Sequence, residues 1–305
     1  MEDRISSKNK VTLSNLGFLE RKGQEIEELR NLEIYDAAEV AAKYLRKLYR
    51  DGLGIYEMLS CLAEEMQSEG FFLLDSAADM VRQIKDRALF CSSTASRLSR
   101  LGVKERDFLY TELRPAEFAY VRNAYSDEAY EVFSQDFDDP RVRYGRDFAE
   151  CAKLLYNGDV SYCLFPLEEK GGTRLPTIAE LIYRYDFKIC AITPVFGPDN
   201  SMDLKYALVS DRFIVPENNP DDDRYLEIRI PNGEAFTLSS LLTAADIFGH
   251  SIYRVDTQFL PTEEGQSSFF NVVIRDEGNS FIAMLIYLTV FSDGYSSIGI
   301  YKNLE

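Results

Sequence analysis

Residues 142–169, "VRYGRDFAECAKLLYNGDVSYCLFPLEE", decide the fold. The first of them have the extended pattern of a strand or a strand end. "AECAKLLYNG" repeats its apolar positions at helical spacing and stops at Gly158, as a helix closed by glycine does. "DVSYCLFPLE" is an apolar run of strand length bounded by turn residues, the mark of a strand buried on both faces. Strand, helix and strand in so short a span form the unit of a parallel α/β sheet. The second strand carries Glu168 and Glu169 towards the glycine pair Gly171-Gly172. Ligands of open α/β sheets gather outside the carboxyl ends of the strands, so Glu168 is the first candidate for a binding or catalytic group. Two adjacent carboxylates also repel, which would raise a carboxyl pKa.

The alternation continues on both sides. "EFAYVRNAY" reads as a strand, and "SDEAYEVFSQDF" as a helix with Ser126 as N-cap and acids in its first turn, where they suit the helix dipole. Downstream, "TIAELIYRYD" reads as a helix, and "FKICAITPVF" and "DLKYALVSDRF" as strands. This order, over about residues 116–214, predicts an α/β sandwich with a mostly parallel sheet. After it the rhythm changes. "RYLEIRIP" is an alternating strand and "FTLSSLLTAADIFG" a helix. "SIYRVDTQFLP" and "SSFFNVVIRD" read as a hairpin through Gly265, "SFIAMLIYLTVFSD" as a helix and "SSIGIYKNL" as a strand. That is β-α-β-β-α-β, the ferredoxin-like split βαβ unit.

Residues before about 115 are helical by pattern. In "DAAEVAAKYLRKLYRDG", Ala37, Val40, Ala41, Tyr44, Leu45 and Leu48 share a face and Gly52 supplies the stop. "GIYEMLSCLAEEMQSEG" and "LDSAADMVRQIKDRALFCSSTASRLSRLG" follow with similar periods, giving a small helical bundle. The expected division is therefore 1–114 helical, 115–222 α/β lobe and 223–305 βαββαβ unit, an α/β and α+β multidomain chain.

Charge and composition exclude several function classes. The net charge is −17, and nearly all of it lies beyond residue 115. An acidic surface of that kind repels phosphate backbones, so no nucleic acid is expected as a partner. "MEDRISSKNKVTLSNLG" lacks the apolar core of a signal peptide. The apolar run "FIAMLIYLTVF" falls short of the roughly 18–20 residues that span a bilayer, so no membrane contact is expected. The five cysteines, Cys61, Cys91, Cys151, Cys163 and Cys190, form no CxxC pair. They read as free buried thiols of a reducing cytoplasm. With a single histidine, His250, no metal site or cofactor is expected; His250 itself reads as a helix-end or surface residue.

The order of these segments resembles prephenate dehydratase followed by its ACT domain, over about residues 116–300. "FAYVRNAYSDEAYEVF" is similar to the family's opening strand and the Tyr-Ser-His motif heading its first helix. "VRYGRDFAECAKLLYNGDVSYCLFPLEE" is similar to its second strand, helix and Asp-Tyr-Gly…Pro-Ile-Glu-Asn run, and "LPTIAELIYRYDFKICAITPV" to the helix and strand after it. The resemblance implies a lobe of the periplasmic-binding-protein-like type and puts Ser126, Asp127 and Glu168 at positions of the family's active site. It also implies an effector site on the ACT unit. Phe236-Thr237-Leu238 stands for the family's Gly-Ala-Leu turn, Ser251 for an asparagine, and Asp256-Thr257-Gln258-Phe259 for Glu-Ser-Arg-Pro. The implied effector residues are thus Leu238, Ser251, Asp256 and Gln258, of which Asp256 could receive an α-ammonium group.

The departures are chemical. Asp127 replaces the motif histidine and Glu169 the asparagine after the glutamate. The Thr-Arg-Phe motif should fall near Leu204-Lys205-Tyr206, which keeps neither the threonine nor the arginine. The family's second lobe is replaced by residues 196–203 alone, "FGPDNSMD". Dehydration with decarboxylation needs a dry cleft, a proton donor and cations for two substrate carboxylates, and one lobe cannot supply them. The expectation is a degenerate, non-catalytic member with a regulatory or ligand-binding role, an aromatic amino acid as ligand, and a homodimeric state. The alternative is a divergent prephenate dehydratase or chorismate mutase of phenylalanine biosynthesis. The helices before residue 115 stand where bifunctional members carry the mutase, with Arg46, Arg50, Arg82, Lys85 and Arg87 as the available cations.

Overall fold

The computed structural model describes residues 31–68, 80–103, 115–196, 202–214, 223–232, 238–262, 265–277, 281–292 and 295–304. The polar segment 1–30, the turn residues Phe236 and Thr237, the connection 197–201 and the side chain of Arg82 lie outside the described residues. Among the described residues the chain is a mixed α/β protein with eight α-helices around one nine-stranded sheet.

The helices before the sheet are α1 (31–50), α2 (Ile55–Ser68) and α3 (Met80–Arg100). The lobe follows as β1 (Glu117–Tyr120), α4 (Ala124–Phe133), β2 (Arg141–Tyr144) and α5 (Phe148–Tyr156). It continues with β3 (Tyr162–Glu169), α6 (Pro176–Arg184), β4 (Lys188–Phe196) and β5 (Met202–Ser210). The last unit is β6 (Arg224–Pro231), α7 (Leu238–Ile247), β7 (Ser251–Thr262), β8 (Gly265–Arg275), α8 (Ile282–Phe291) and β9 (Ser296–Asn303).

The sheet order is β2-β1-β3-β5-β4-β9-β6-β8-β7. Strands β2, β1 and β3 are parallel, but β5 runs antiparallel between β3 and β4. The sheet is therefore mixed, where the sequence predicts a mostly parallel one. The cause is the short link between β4 and β5, since parallel neighbours need a crossover of a dozen or more residues. In the last unit every pairing is antiparallel: β9 with β6, β6 with β8 and β8 with β7. One parallel contact, Ala191 with Lys302 and Ile192 with Asn303, joins β4 to β9 and makes the sheet continuous. A Cβ at Gly299 would collide with the Ile189 carbonyl, so glycine lets the two strands approach.

Alternation sorts the side chains of β6 and β8 between two cores. Leu226, Ile228, Val272 and Ile274 face α7 and α8, while Tyr225 and Val273 face the lobe's core with Ile178, Leu181 and Ile182 of α6. Helix α8, "IAMLIYLTVF", is buried over its first seven residues. A helix apolar all round must be covered all round, and α1 to α3 supply the cover: Ala38, Leu45, Leu59, Leu62, Ala88 and Leu98 belong to the same core as α8. Among the described residues, the mutase-like cations do not gather there. Lys85 and Arg50 are exposed, Arg46 is half-buried, and the Arg87 guanidinium lies 5.0 Å over the Phe291 ring.

His250, expected at a helix end or surface, does cap α7, its N–H donating to Ala245 O at 2.9 Å. Its ring, however, is buried 4.8 Å from that of Phe281. The five cysteines are free thiols, four buried and Cys61 half-buried.

Candidate functional site

The loop after β3 is the local device that builds the site. Gly171 and Gly172 adopt φ of 97° and 83°, a region that glycine enters without strain. Their turn is closed by Gly172 N–H to Glu169 O and Glu169 N–H to Thr173 O, both 2.9 Å. It brings Arg174 back beside Glu168. A register shift between Pro166 and Glu168 in the β3–β5 pair marks an extra residue that re-aims the strand end. Glu168 is left opposite Lys205.

Glu168 is 3% exposed and surrounded by cations. Arg254 of β7 donates to its Oε1 at 2.7 Å, and Arg174 Nε lies 3.4 Å from the same oxygen. Arg254 also sits 3.5 Å from Gly172 O and 2.6 Å from Asp256 Oδ2. Burial alone would raise the Glu168 carboxyl. The hydrogen bond from Arg254 and the charges of Arg174, Arg254 and Lys205 outweigh it and hold the group below the usual carboxylate range. The repulsion from Glu169 anticipated in the sequence does not set this value, because Glu169 is exposed while the cations touch.

The charges continue under α6. Arg174 donates to Glu227 Oε2 at 2.7 Å, and Tyr301 and Asn271 donate to the two Glu227 oxygens at 2.9 and 3.1 Å. Glu227 is fully buried, so each of these bonds replaces one to water. Arg229 donates to Asn271 Oδ1 at 3.2 Å and to Gln258 Oε1 at 3.5 Å, and lies 5.2 Å over the Tyr183 ring. With neutral acceptors at its hydrogen bonds, burial pulls its guanidinium down to about 10, against the favourable charge of Glu227.

Ser126 and Asp127 lie elsewhere. Helix α4 starts earlier than the sequence suggests, with Asn123 as N-cap and Ser126 at N3 of a reciprocal capping box. The Ser126 hydroxyl lies 2.8 Å from Val121 O and accepts from the Asn123 N–H at 2.9 Å. Asp127 accepts from the Tyr120 hydroxyl at 2.9 Å and pairs with Arg122 at 3.7 Å. Among the described residues no hydrogen bond or ion pair joins either of them to Glu168. The effector set also divides. Asp256 and Gln258 stand opposite Asn271 and Phe269 on the α6 side of the sheet, while Leu238 packs into the core on its α7 side. Ser251 is exposed, 2.5 Å from Glu277.

Sequence reading missed Arg174, Glu227, Arg229 and Arg254. The available signal was "RYLEIRIP" itself, a strand with buried alternation that still carries Glu227 and Arg229 on one face. A cavity of about 20 Å³ opens beside this cluster, lined by Glu168, Lys205, Arg254, Tyr225, Tyr253 and Asn303 among others. That is room for about one water. The described residues hold no cluster of His, Cys, Asp and Glu fit for a metal ion, and no helix long and apolar enough to cross a membrane.

Neither a protein-family model nor a curated protein matches the chain. Prephenate dehydratases are among the solved structures it resembles. The enzyme from Streptococcus mutans is 17% identical, with 62% of this chain and 99% of that one covered at a TM-score of 0.47. The enzyme from Arthrobacter aurescens, in complex with L-Phe, is 12% identical over 61% and 89% at 0.44. GqqA, described as a novel type of quorum-quenching acylase, is 19% identical over 61% and 93% at 0.45.

Proposed function

We propose that this chain is a non-catalytic relative of prephenate dehydratase, with a single lobe (115–222), an ACT-like unit (223–305) and a helical domain (1–114), acting as a homodimeric, cytoplasmic ligand-binding or regulatory protein for an aromatic amino acid. One observation carries this reading: Glu168, the acid at the strand end, is buried and engaged by Arg254 and Arg174. A carboxylate held below its usual pKa by two guanidinium groups has no proton to donate at neutral pH. Both guanidiniums are also engaged by carboxylates of the chain, so neither is free for a substrate dianion. The cavity at Glu168, about 20 Å³, takes a water-sized group and not a ring with two carboxylates.

The alternative, a divergent prephenate dehydratase, draws support from Lys205, a cation at that cavity. The test is thermal unfolding of the purified chain with phenylalanine, tyrosine, tryptophan, prephenate and chorismate, beside a turnover assay. A ligand at a hundred times its Kd adds about 2.7 kcal/mol of stability. Stabilisation by an aromatic amino acid without turnover is expected. Turnover of prephenate or chorismate would overturn the non-catalytic reading, and silence with every compound would overturn the ligand.

A further inference from the structure

The cavity beside Glu168 lies where three parts of the fold meet: the end of β3 with its neighbour β5, the bulge of β7 and the end of β9. Two of its polar groups can take a further partner. Lys205 is half-buried, its charge acts on Glu168, and it forms no ion pair among the described residues. The Asn303 amide oxygen is buried with no hydrogen-bond partner. Buried acceptors in native proteins are nearly always satisfied, and a cation beside an empty acceptor asks for a ligand that brings both an anion and a donor. The Glu168 carboxylate adds a negative charge at the same place. On the open side, Tyr225 is buried and Tyr253 is 55% exposed, their rings 5.0 Å apart and tilted. Tyr253 occupies the bulge between Ile252 and Arg254, so its ring leaves the ladder and stands at the mouth.

We infer that this cavity binds the head group of a free α-amino acid, with its carboxylate on Lys205, its ammonium on the Asn303 amide oxygen and Glu168, and its side chain against Tyr225 and Tyr253. This rests on the amino-acid-binding reading above, and it moves the site away from Leu238, across the sheet. A space of about 20 Å³ admits one water-sized group, so only the ammonium enters it, while the carboxylate stays at the rim on Lys205 and the aromatic side chain stands at the mouth. The ligand would touch the lobe through Lys205 and Glu168 and the last unit through Asn303 and Tyr253, so it would hold the two together.

The experiment measures binding to the full chain by thermal shift and calorimetry. The probes are L-phenylalanine, phenylacetate, which lacks the ammonium, and phenethylamine, which lacks the carboxylate. L-phenylalanine should bind, and each half-molecule should bind at least tenfold more weakly. Lys205→Met and Asn303→Leu should each weaken phenylalanine binding tenfold or more. Tyr253→Ala, at an exposed position that the fold does not need, should weaken it severalfold. If phenylalanine binds wild type and all three folded variants equally, the site is elsewhere and this inference fails while the proposed function stands. If no aromatic amino acid binds wild type, both fail.

Discussion

Arg254 donates to Glu168 across 2.7 Å, tying an edge strand of the last unit to the strand end of the lobe. The two residues are 86 positions apart. The glutamate is almost fully buried and the arginine side chain is 21% exposed, so the pair is desolvated more on one side than the other. Glu168→Gln leaves Arg174 and Arg254 without that charge. Removing one partner of a buried pair costs about 3–5 kcal/mol when it strands the other charge, and at most the lower end is expected here because Arg254 is partly exposed and both arginines keep a second carboxylate. Urea unfolding of the variant should show an unfolding free energy lowered by that amount, seen as a lower midpoint with the slope unchanged. An unchanged midpoint would mean that the ion pair contributes nothing to holding the units together.

The same carboxylate sets a pH dependence. Its pKa in the folded protein lies below the usual carboxylate range, so its contribution is present above the unfolded value of about 4.3. That contribution is lost as pH falls through the lower, folded value. The stability gap between wild type and Glu168→Gln should be constant from pH 7 to about pH 5 and should narrow as pH falls below the unfolded value of about 4.3. Urea midpoints of both proteins across that range measure the gap; one that widened on acidification would contradict the sign.

Ser126 is a cap residue in this fold. Ser126→Ala removes the hydroxyl that the Asn123 N–H donates to, at 2.9 Å, and keeps the Asn123 side chain on the Ser126 N–H at 3.0 Å. Loss of such a cap contact costs about 0.5–2 kcal/mol. Thermal unfolding should show this drop with ligand binding unchanged, and abolished binding in a folded variant would give Ser126 a functional role.

Gly299 guards the joint between β4 and β9. Gly299→Ala forces a methyl group into the Ile189 backbone, where no flexible side chain can give way. Overpacking costs about 1–3 kcal/mol, at times more, and here the upper end is expected because both neighbours are main chain. Hydrogen exchange should report early opening of Ile192 and Lys302 in the variant, with α4 and β1 unaffected.

Local rules made much of this legible. The order β6-α7-β7-β8-α8-β9 followed from "RYLEIRIP", the Gly265 turn and the two apolar helices between them. The all-round apolarity of "IAMLIYLTVF" already required a cover, although not that α1 to α3 provide it. What stayed hidden was long-range. Nothing near Pro166 announces that β5 will lie antiparallel beside it, and nothing near Ile192 announces Asn303. The site was half-visible for the same reason. Glu168 stood out as an acid ending a buried strand, but Arg254 lies in a strand whose pairing register carries a bulge between Ile252 and Arg254. Because side chains alternate with period two, that extra residue reverses which face Arg254 occupies, and no periodicity count recovers it.

Strand β9 is made after every other strand of the sheet, yet in the finished molecule it lies between β4 and β6. A chain emerging from the ribosome therefore has two partial sheets that cannot join until residues 296–303 are free. Through that interval β4 and β6 each present an unpaired edge, the kind that captures other strands. Synthesis at about 5–20 residues per second keeps those edges open for seconds. The connection that unites the fold is thus also the one whose late arrival leaves two strand edges open in the nascent chain.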